Sequence, residues 1–322
     1  MSGTPFAKRA RRAVRSALIR AAVRLLALLP LRPLSALGRG LGDLAWVLAR
    51  RTRRLALEHL AMAFPGMPES ERRRIGRASF VHFARAAMEA VAVGSIDPRL
   101  LDYVRIAGDG ERRMEEALAG GRGFVFVTGH LGNWELLARR LARVRGLQAT
   151  VIAKRSWDER IDAMIESFRA SGGVGTLWRE DRSGGRALLK AFRDNSALGI
   201  LIDQDTRVQG VFVPFFGREA WTPRAAADLA IRFRCPVFVG WSHRRGPGPW
   251  DGYEIRLEAV AFDADAPDRD AEAKRITALC TARLEEAIRQ VPAEWVWMHE
   301  RWKRRPPGEA ERVPSKPDAQ KP

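Results

Sequence analysis

The sequence predicts an α/β fold, a mixed sheet flanked by helices, preceded by a basic amphipathic helical region. Three observations point there. After Gly94, short runs of strand formers at residues 124–127, 149–153, 199–202 and 236–241 alternate with helical stretches, the strand, turn and helix succession of α/β proteins. Before Gly94 the pattern is mainly helical, with polar and apolar positions at spacing three and four. Finally, 322 residues, 46% of them hydrophobic and 29% charged, suffice to bury a full core.

At the N-terminus, residues 6–29 set Arg at helical intervals among Ala, Leu, Val and Ile. The longest clean apolar stretch, residues 25–31, is far below the ~20 residues that span a bilayer. A basic amphipathic helix lying in a membrane interface is therefore expected. No unbroken apolar core with a small-residue cleavage site suggests a secretory signal. Pro30 and Pro33 are expected to break this helix, and Gly38, Gly40 and Gly42 to loosen the segment after it. A second apolar stretch, 41–49, runs into the cluster Arg50, Arg51, Arg53 and Arg54.

Charge is divided in the same way. The whole chain carries 56 Lys+Arg against 38 Asp+Glu, a net charge of +18. Residues 1–54 hold thirteen basic residues and one acid, Asp43, so most of the excess sits in one-sixth of the length. Such an arm is drawn to acidic surfaces, and each basic residue near anionic lipid contributes on the order of 1 kcal/mol. Three regions result: 1–54 membrane-associating, 55–305 the folded domain, and 306–322 a polar, proline-rich tail expected to be disordered. Cys235 and Cys280 have no partner pattern and read as small core residues.

The sharpest local signal is Thr128-Gly129-His130-Leu131-Gly132-Asn133-Trp134-Glu135. A buried strand delivers His130 to its carboxyl end, where ligands of open α/β sheets bind. Flanking glycines are expected to let a substrate approach the backbone. Glu135, at the start of the next helix, is expected to turn its carboxylate toward the imidazole. That pair would act as a general base, the carboxylate fixing the tautomer and stabilising the imidazolium.

Rival chemistries fit less well. There is no G-x-S-x-G elbow and no glycine-rich phosphate loop ending in Lys-Ser/Thr. The spacing His-x4-Glu is not that of a zinc helix, and His59, His82, His243 and His299 lie in unrelated contexts. No metal and no cofactor are expected. The chain offers a base without a protein nucleophile, which suits direct attack by a substrate hydroxyl.

His-x4-Glu within this block resembles the H-x4-D/E signature of membrane lysophospholipid and lipid A acyltransferases. Asp203-Gln204-Asp205, followed by Gly210-Val211-Phe212-Val213-Pro214-Phe215-Phe216-Gly217 and Thr222-Pro223, resembles the lipid A late acyltransferase branch, which adds lauroyl or myristoyl chains. So do Glu294-Trp295-Val296-Trp297-Met298-His299-Glu300-Arg301-Trp302-Lys303 and Ala61-Met62-Ala63-Phe64-Pro65. The resemblance runs from about residue 35 to 305.

It implies a glycerol-phosphate-acyltransferase-like fold and acyl transfer from an acyl-carrier-protein thioester to a hydroxyl of a lipid A precursor. His130 would take the hydroxyl proton, supported by Glu135, at the cytoplasmic face of the inner membrane. Arg169 matches the family's downstream site arginine. Arg155 is a second candidate, for phosphate or carboxylate. Asp203 and Asp205 would bind substrate, hold the site together, or simply shape the cleft, and Asn133 is counted with the substrate contacts. Phe212, Phe215, Phe216 and Trp221 would line an acyl groove or belong to the core. The implied partners are acidic acyl carrier protein, drawn by basic rims, the lipid A precursor, and an anionic membrane surface. Arg20, Arg24 and Arg32 depart from the family's membrane-spanning anchor, so interfacial binding is expected. The alternative acceptor is a glycolipid of the phosphatidylinositol mannoside kind, or a lysolipid, with acyl-CoA as donor. Nucleic acid is not expected as a partner, since the Trp residues are not interleaved with Lys and Arg on a strand pattern.

Overall fold

A computed structural model describes residues 6–308 apart from 157, 182 and 183, with side chains from residue 13 on. Helices α1 (Phe6–Leu26), α2 (Leu31–Leu48), α3 (Arg50–Ala63) and α4 (Glu69–Val91) come first, followed by the short α5 (Val93–Ile96) and α6 (Leu100–Tyr103). Then β1 (Val104–Ile106), α7 (Gly110–Ala119), β2 (Phe124–Thr128), α8 (Trp134–Leu141), β3 (Ala149–Ala153), α9 (Glu159–Ser171), β4 (Val174–Trp178), α10 (Gly184–Arg193) and β5 (Ala197–Leu201) alternate. The hairpin β6 (Gly210–Phe215) and β7 (Arg218–Pro223) precedes α11 (Ala225–Phe233), β8 (Val237–Arg244), β9 (Tyr253–Ala259) and α12 (Arg269–Gln290).

Among the described residues the main sheet has seven strands in the order β1-β9-β8-β2-β5-β3-β4. Neighbours are parallel except β8 and β9, which pair antiparallel. The expected mixed sheet flanked by helices is therefore the observed architecture. β2 is central, and all five of its residues are buried, as a strand covered on both faces requires. Its side chains alternate: Val125 and Val127 join the core formed with α3, α11, α12 and the C-terminal tryptophans, whereas Phe124 and Phe126 join the core under α7 and α8.

The expectation for the N-terminal glycines is corrected. Pro30 and Pro33 do interrupt the chain, but Pro33 sits in the first turn of α2, where no intrahelical N–H is needed. Gly38 and Gly42 do not loosen the helix; they let α4 approach it. A Cβ on Gly42 would lie 2.4 Å from the Cα of Val81, and one on Gly38 2.9 Å from the Cα of Arg85. Leu31 and Leu34 are buried in the core, so α2 is packed into the folded body rather than set apart in the 1–54 arm. α1 lies against α9, with the Ser16 hydroxyl donating to Asp158 over 2.8 Å.

Cys235 and Cys280 are unpaired and buried, and burial pushes their thiols up to about 11 and about 12. The tail expected to be disordered lies, from residue 309 on, outside the described residues.

Candidate active site

Two neighbouring parallel strands set the site. β2 and β5 pair in register up to Thr128 opposite Leu201, and Ile202 N–H still donates to the Thr128 carbonyl. His130 and Asp203 each lie two residues beyond those strand ends, so they emerge side by side at the carboxyl edge of the sheet. His130 Nδ1 stands 2.8 Å from Asp203 Oδ1, and the His130 backbone N–H donates to Oδ2 over 2.7 Å. The indole N–H of Trp295 donates to Oδ2 as well, over 2.8 Å. Asp203 is 2% exposed and His130 20%.

This network fixes the chemistry of the imidazole. Burial by itself would raise the Asp203 carboxyl, but the charge and hydrogen bond of His130 and the Trp295 N–H outweigh it and hold the group well below the usual carboxylate range. An ionised Asp203 keeps the proton on Nδ1 and leaves the Nε2 lone pair outward. Gln204 presents its amide N–H to Nε2 at 3.2 Å, in keeping with that tautomer.

The glycines of the motif serve this packing. A Cβ on Gly129 would meet Asp203 Oδ2 at 2.9 Å, and Gly132, at φ +64°, would place one 2.0 Å from the Ser242 carbonyl. Asp203 and β8, not substrate, approach the backbone there. The C-terminal segment closes the arrangement, since Leu131 and Trp295 form an antiparallel bridge. That bridge brings His299 to a ring-centroid distance of 5.7 Å from His130. Both His299 ring nitrogens are buried without hydrogen-bond partners, and burial depresses its pKa to about 3, so it is neutral.

Glu135 lies elsewhere than expected. At the start of α8 its carboxylate receives a two-pronged pair from Arg169 on α9, at 2.6 and 3.0 Å, the planar fork matching the carboxylate. The imidazole's carboxylate partner is therefore Asp203, and Glu135 is the partner of Arg169. Trp134, one residue earlier, packs edge-on against His130 at 4.9 Å. Asn133 is built into the scaffold: its side-chain oxygen caps α8 by accepting from Leu136 N–H, and its amide donates to Glu89. Asp205 is likewise engaged, accepting from the backbone N–H of Arg304 at 2.8 Å. Arg155 pairs with Asp181 at 2.6 Å and covers the Trp178 ring. Phe215 and Phe216 are buried among Trp295, Trp297 and Trp302 and are core rather than groove, whereas Phe212 and Trp221 pack on each other half-buried.

Two openings lie next to residues that touch His130, one beside Trp134 and the other beside Gln204. An apolar slot runs along the sheet, lined by Phe126, Leu137, Leu141, Val151, Ile152 and Leu201, with Thr128, Trp134, Glu135 and Arg169 also in its wall. On the side of Gln204 lies a cleft of about 800 Å³ whose cations, Lys154, Arg179, Arg207, Lys303 and Arg304, outnumber its acids, Glu180 and Asp205. Trp134 ties His130 to the slot and Gln204 ties it to the cleft.

Among the described residues, His130, Asp203 and His299 are the group whose ligand atoms, within 4.8 Å of one another, are close enough to share a cation. The Asp203 oxygens already accept three N–H bonds, the bonding of a positioning carboxylate rather than of a vacant ligand. Sequence reasoning left Asp203 open between binding substrate, holding the site together and shaping the cleft, and gave His299 no role. The former depends on strand register, the latter on the C-terminal bridge, and only the two blocks carrying the family resemblance flagged those segments.

A sequence profile described as bacterial lipid A biosynthesis acyltransferase matches residues 4–304. The chain is 27% identical over 292 residues to a lipid A biosynthesis lauroyltransferase of Escherichia coli (strain K12), covering 89% of this chain and 90% of that protein. It is 28% identical over 235 residues to a phosphatidylinositol mannoside acyltransferase of Mycolicibacterium smegmatis, covering 70% and 71%. A lipid A biosynthesis acyltransferase of Haemophilus influenzae is 26% identical over 285 residues, 86% of each chain. With nearly the whole chain matched and a His–Asp pair at the carboxyl edge of the sheet, this chain belongs to the bacterial lipid A biosynthesis acyltransferase family and is an O-acyltransferase.

Proposed function

We propose that this enzyme moves a fatty acyl chain from an acyl-carrier-protein thioester to a hydroxyl of a lipid A precursor, with His130 as general base. The observation that supports the reading is the His130–Asp203 pair, with Trp134 on the imidazole belonging to the apolar slot and Gln204 at Nε2 belonging to the basic cleft. The slot's lining is apolar, as an acyl chain requires, and with about 50 Å³ of free space it must widen to take one. The cleft suits phosphates of the acceptor and the acidic carrier protein.

In the reaction the substrate hydroxyl takes the place of the Gln204 amide at Nε2. Nε2 removes the proton as the oxygen attacks the thioester carbonyl carbon. The C–O bond forms, the C–S bond breaks, and the thiolate takes the proton back from the imidazolium. Asp203 stabilises that imidazolium through Nδ1, a role that buried hydrogen-bonded carboxylates perform for catalytic histidines. The Glu135–Arg169 pair, in the slot wall, orients the thioester end of the chain. His299, neutral and with unused ring nitrogens beside His130, offers an N–H to the developing oxyanion.

The enzyme works at the cytoplasmic face of the inner membrane, resting on it rather than crossing it. No helix among the described residues is long and apolar enough to cross a membrane. Exposed large apolar side chains concentrate on α1 and α2, with Leu37, Leu41, Leu44 and Leu48 at the i, i+4, i+7, i+11 spacing of one helical face. Interspersed arginines favour anionic headgroups. The likeness to a phosphatidylinositol mannoside acyltransferase supports a second reading, in which the acceptor is a mannosylated glycolipid and the donor acyl-CoA.

Expression in a Gram-negative strain lacking its late lipid A acyltransferases, followed by mass spectrometry of lipid A, tests the proposal. A species heavier by one acyl chain, absent with His130→Ala, is the expected result, and its mass gives the chain length. Unchanged lipid A despite folded, membrane-bound protein would turn the reading to the glycolipid acceptor.

A further inference from the structure

A second cleft lies on the face built by α2 and α4 and shares no lining residue with the two openings beside His130. Its volume is about 720 Å³. Arg39, Arg73, Arg74 and Arg77 stand on its rim, and Arg85 and Arg244 form its floor with His82 and Glu294. The rim is held by exposed ion pairs, Arg73 with Glu69, Arg74 with Glu71 and Arg77 with Asp43. Such pairs exchange partners easily, since each contributes little in water.

The floor is different. Arg85 is 6% exposed, yet its guanidinium reaches only the Gly248 carbonyl, at 3.3 Å, and no carboxylate among the described residues pairs with it. Its Nε is buried without a partner. Arg244, whose side chain is 7% exposed, binds Glu89 through Nη2 at 2.6 Å but leaves Nε and Nη1 buried and unpartnered. Two guanidiniums side by side face Glu89, engaged as well by Tyr253 and Asn133, and Glu294, whose carboxyl burial raises to about 7, so positive charge is in excess at the base of an open cleft. Buried charge without a partner is strongly unfavourable, and these guanidiniums, though their unpartnered nitrogens are enclosed, line the cleft and match phosphate oxygens once they turn toward it.

We propose that the α2–α4 cleft binds a phosphate group, with Arg85 and Arg244 as floor donors and Arg39 and Arg77 closing over it from the rim. The floor also reaches the catalytic turn. His82 Nε2 bonds the Gly132 carbonyl at 3.0 Å, and the Glu294 carbonyl accepts from Gly132 N–H. A phosphate seated there braces the segment that carries His130.

Phosphate in this cleft comes either from the headgroup of an anionic lipid or from a soluble phosphate. Thermal unfolding of the full chain, titrated with inorganic phosphate and separately with a short-chain, monomeric phosphatidylglycerol, distinguishes them. Wild type is expected to gain Tm saturably, as a ligand specific to the native state requires. Arg85→Gln is expected to raise the ligand-free Tm, by removing the unpaired charge, and to lose at least tenfold in affinity. Arg39→Gln, exposed and giving up only its bond to the Pro247 carbonyl, should lose severalfold, and Arg218→Gln on the β6–β7 hairpin, outside the three openings, nothing. A response to the lipid but not to phosphate assigns a headgroup; the reverse assigns a soluble ligand. Equal affinity in wild type, Arg85→Gln and Arg39→Gln, or no saturable response to either probe, overturns the proposal.

Discussion

Asp203 determines what His130 can do. Its carboxylate receives three N–H donors in a buried place, so replacing it with an amide changes the tautomer preference of the imidazole without emptying the space. Asp203→Asn is expected to lower the turnover number on the order of 10²–10⁴-fold with little change in KM, measured with purified enzyme and saturating donor. Glu135→Gln should behave otherwise, freeing Arg169 in the slot wall and changing KM for the acyl donor together with chain-length preference. Similar kinetic profiles for the two variants would contradict the division between them. The linkage to stability has a definite sign. Asp203 is depressed below its unfolded value of 3.8, so the stability it contributes is present above that value and is lost as pH falls below it. The Asn variant should therefore lose less Tm than wild type as pH drops below about 4.

At the scale of elements, the strands with a strong signal were legible from sequence alone: β2, β3, β5 and β8 overlap the four runs of strand formers, and α8 starts beside Glu135 as expected. The position of His130 after a buried strand was legible for the same reason. Its carboxylate partner was not, because Asp203 is 73 residues away and meets it only through the register of β2 with β5. Proximity in sequence favoured Glu135, but the tight turn at Gly132 and the cap at Asn133 start α8 in a direction that hands Glu135 to α9. Glycines in α2 were misread because spacing does not reveal a partner helix. Gly42→Ala sets a methyl 2.4 Å from the Val81 Cα and is expected to destabilise the fold by about 1–3 kcal/mol, as overpacking does. Denaturant melts would record this, while activity per folded molecule stays near wild type. An unchanged midpoint would show that α2 and α4 can separate freely.

On the scale of the whole molecule, charge and apolar exposure are distributed to one end of the chain. Among the described residues, ten of the thirteen exposed large hydrophobics fall between Val14 and Leu48, interleaved with arginines. Removing residues 1–29 leaves α2 and its packing on α4 intact. The shortened enzyme is expected to keep its fold but to bind anionic vesicles several-fold more weakly, with a shallower dependence on salt because fewer cations meet the headgroups. Cosedimentation across ionic strength is the check, and identical salt curves for the two forms would assign binding to the body instead.

The placement of His130 and Asp203, each two residues past the ends of paired central strands, has a consequence for durability. Those strands lie in the middle of the sheet, β2 buried on both faces and β5 on one, in the part of a protein that opens last. The proton-transfer pair is thus insulated from the fraying that affects loops and termini. A cell in which this enzyme is partly damaged at its periphery, with its arm clipped or its outer helices loosened, would still hold a competent proton acceptor, and what it would lose first is access to lipid.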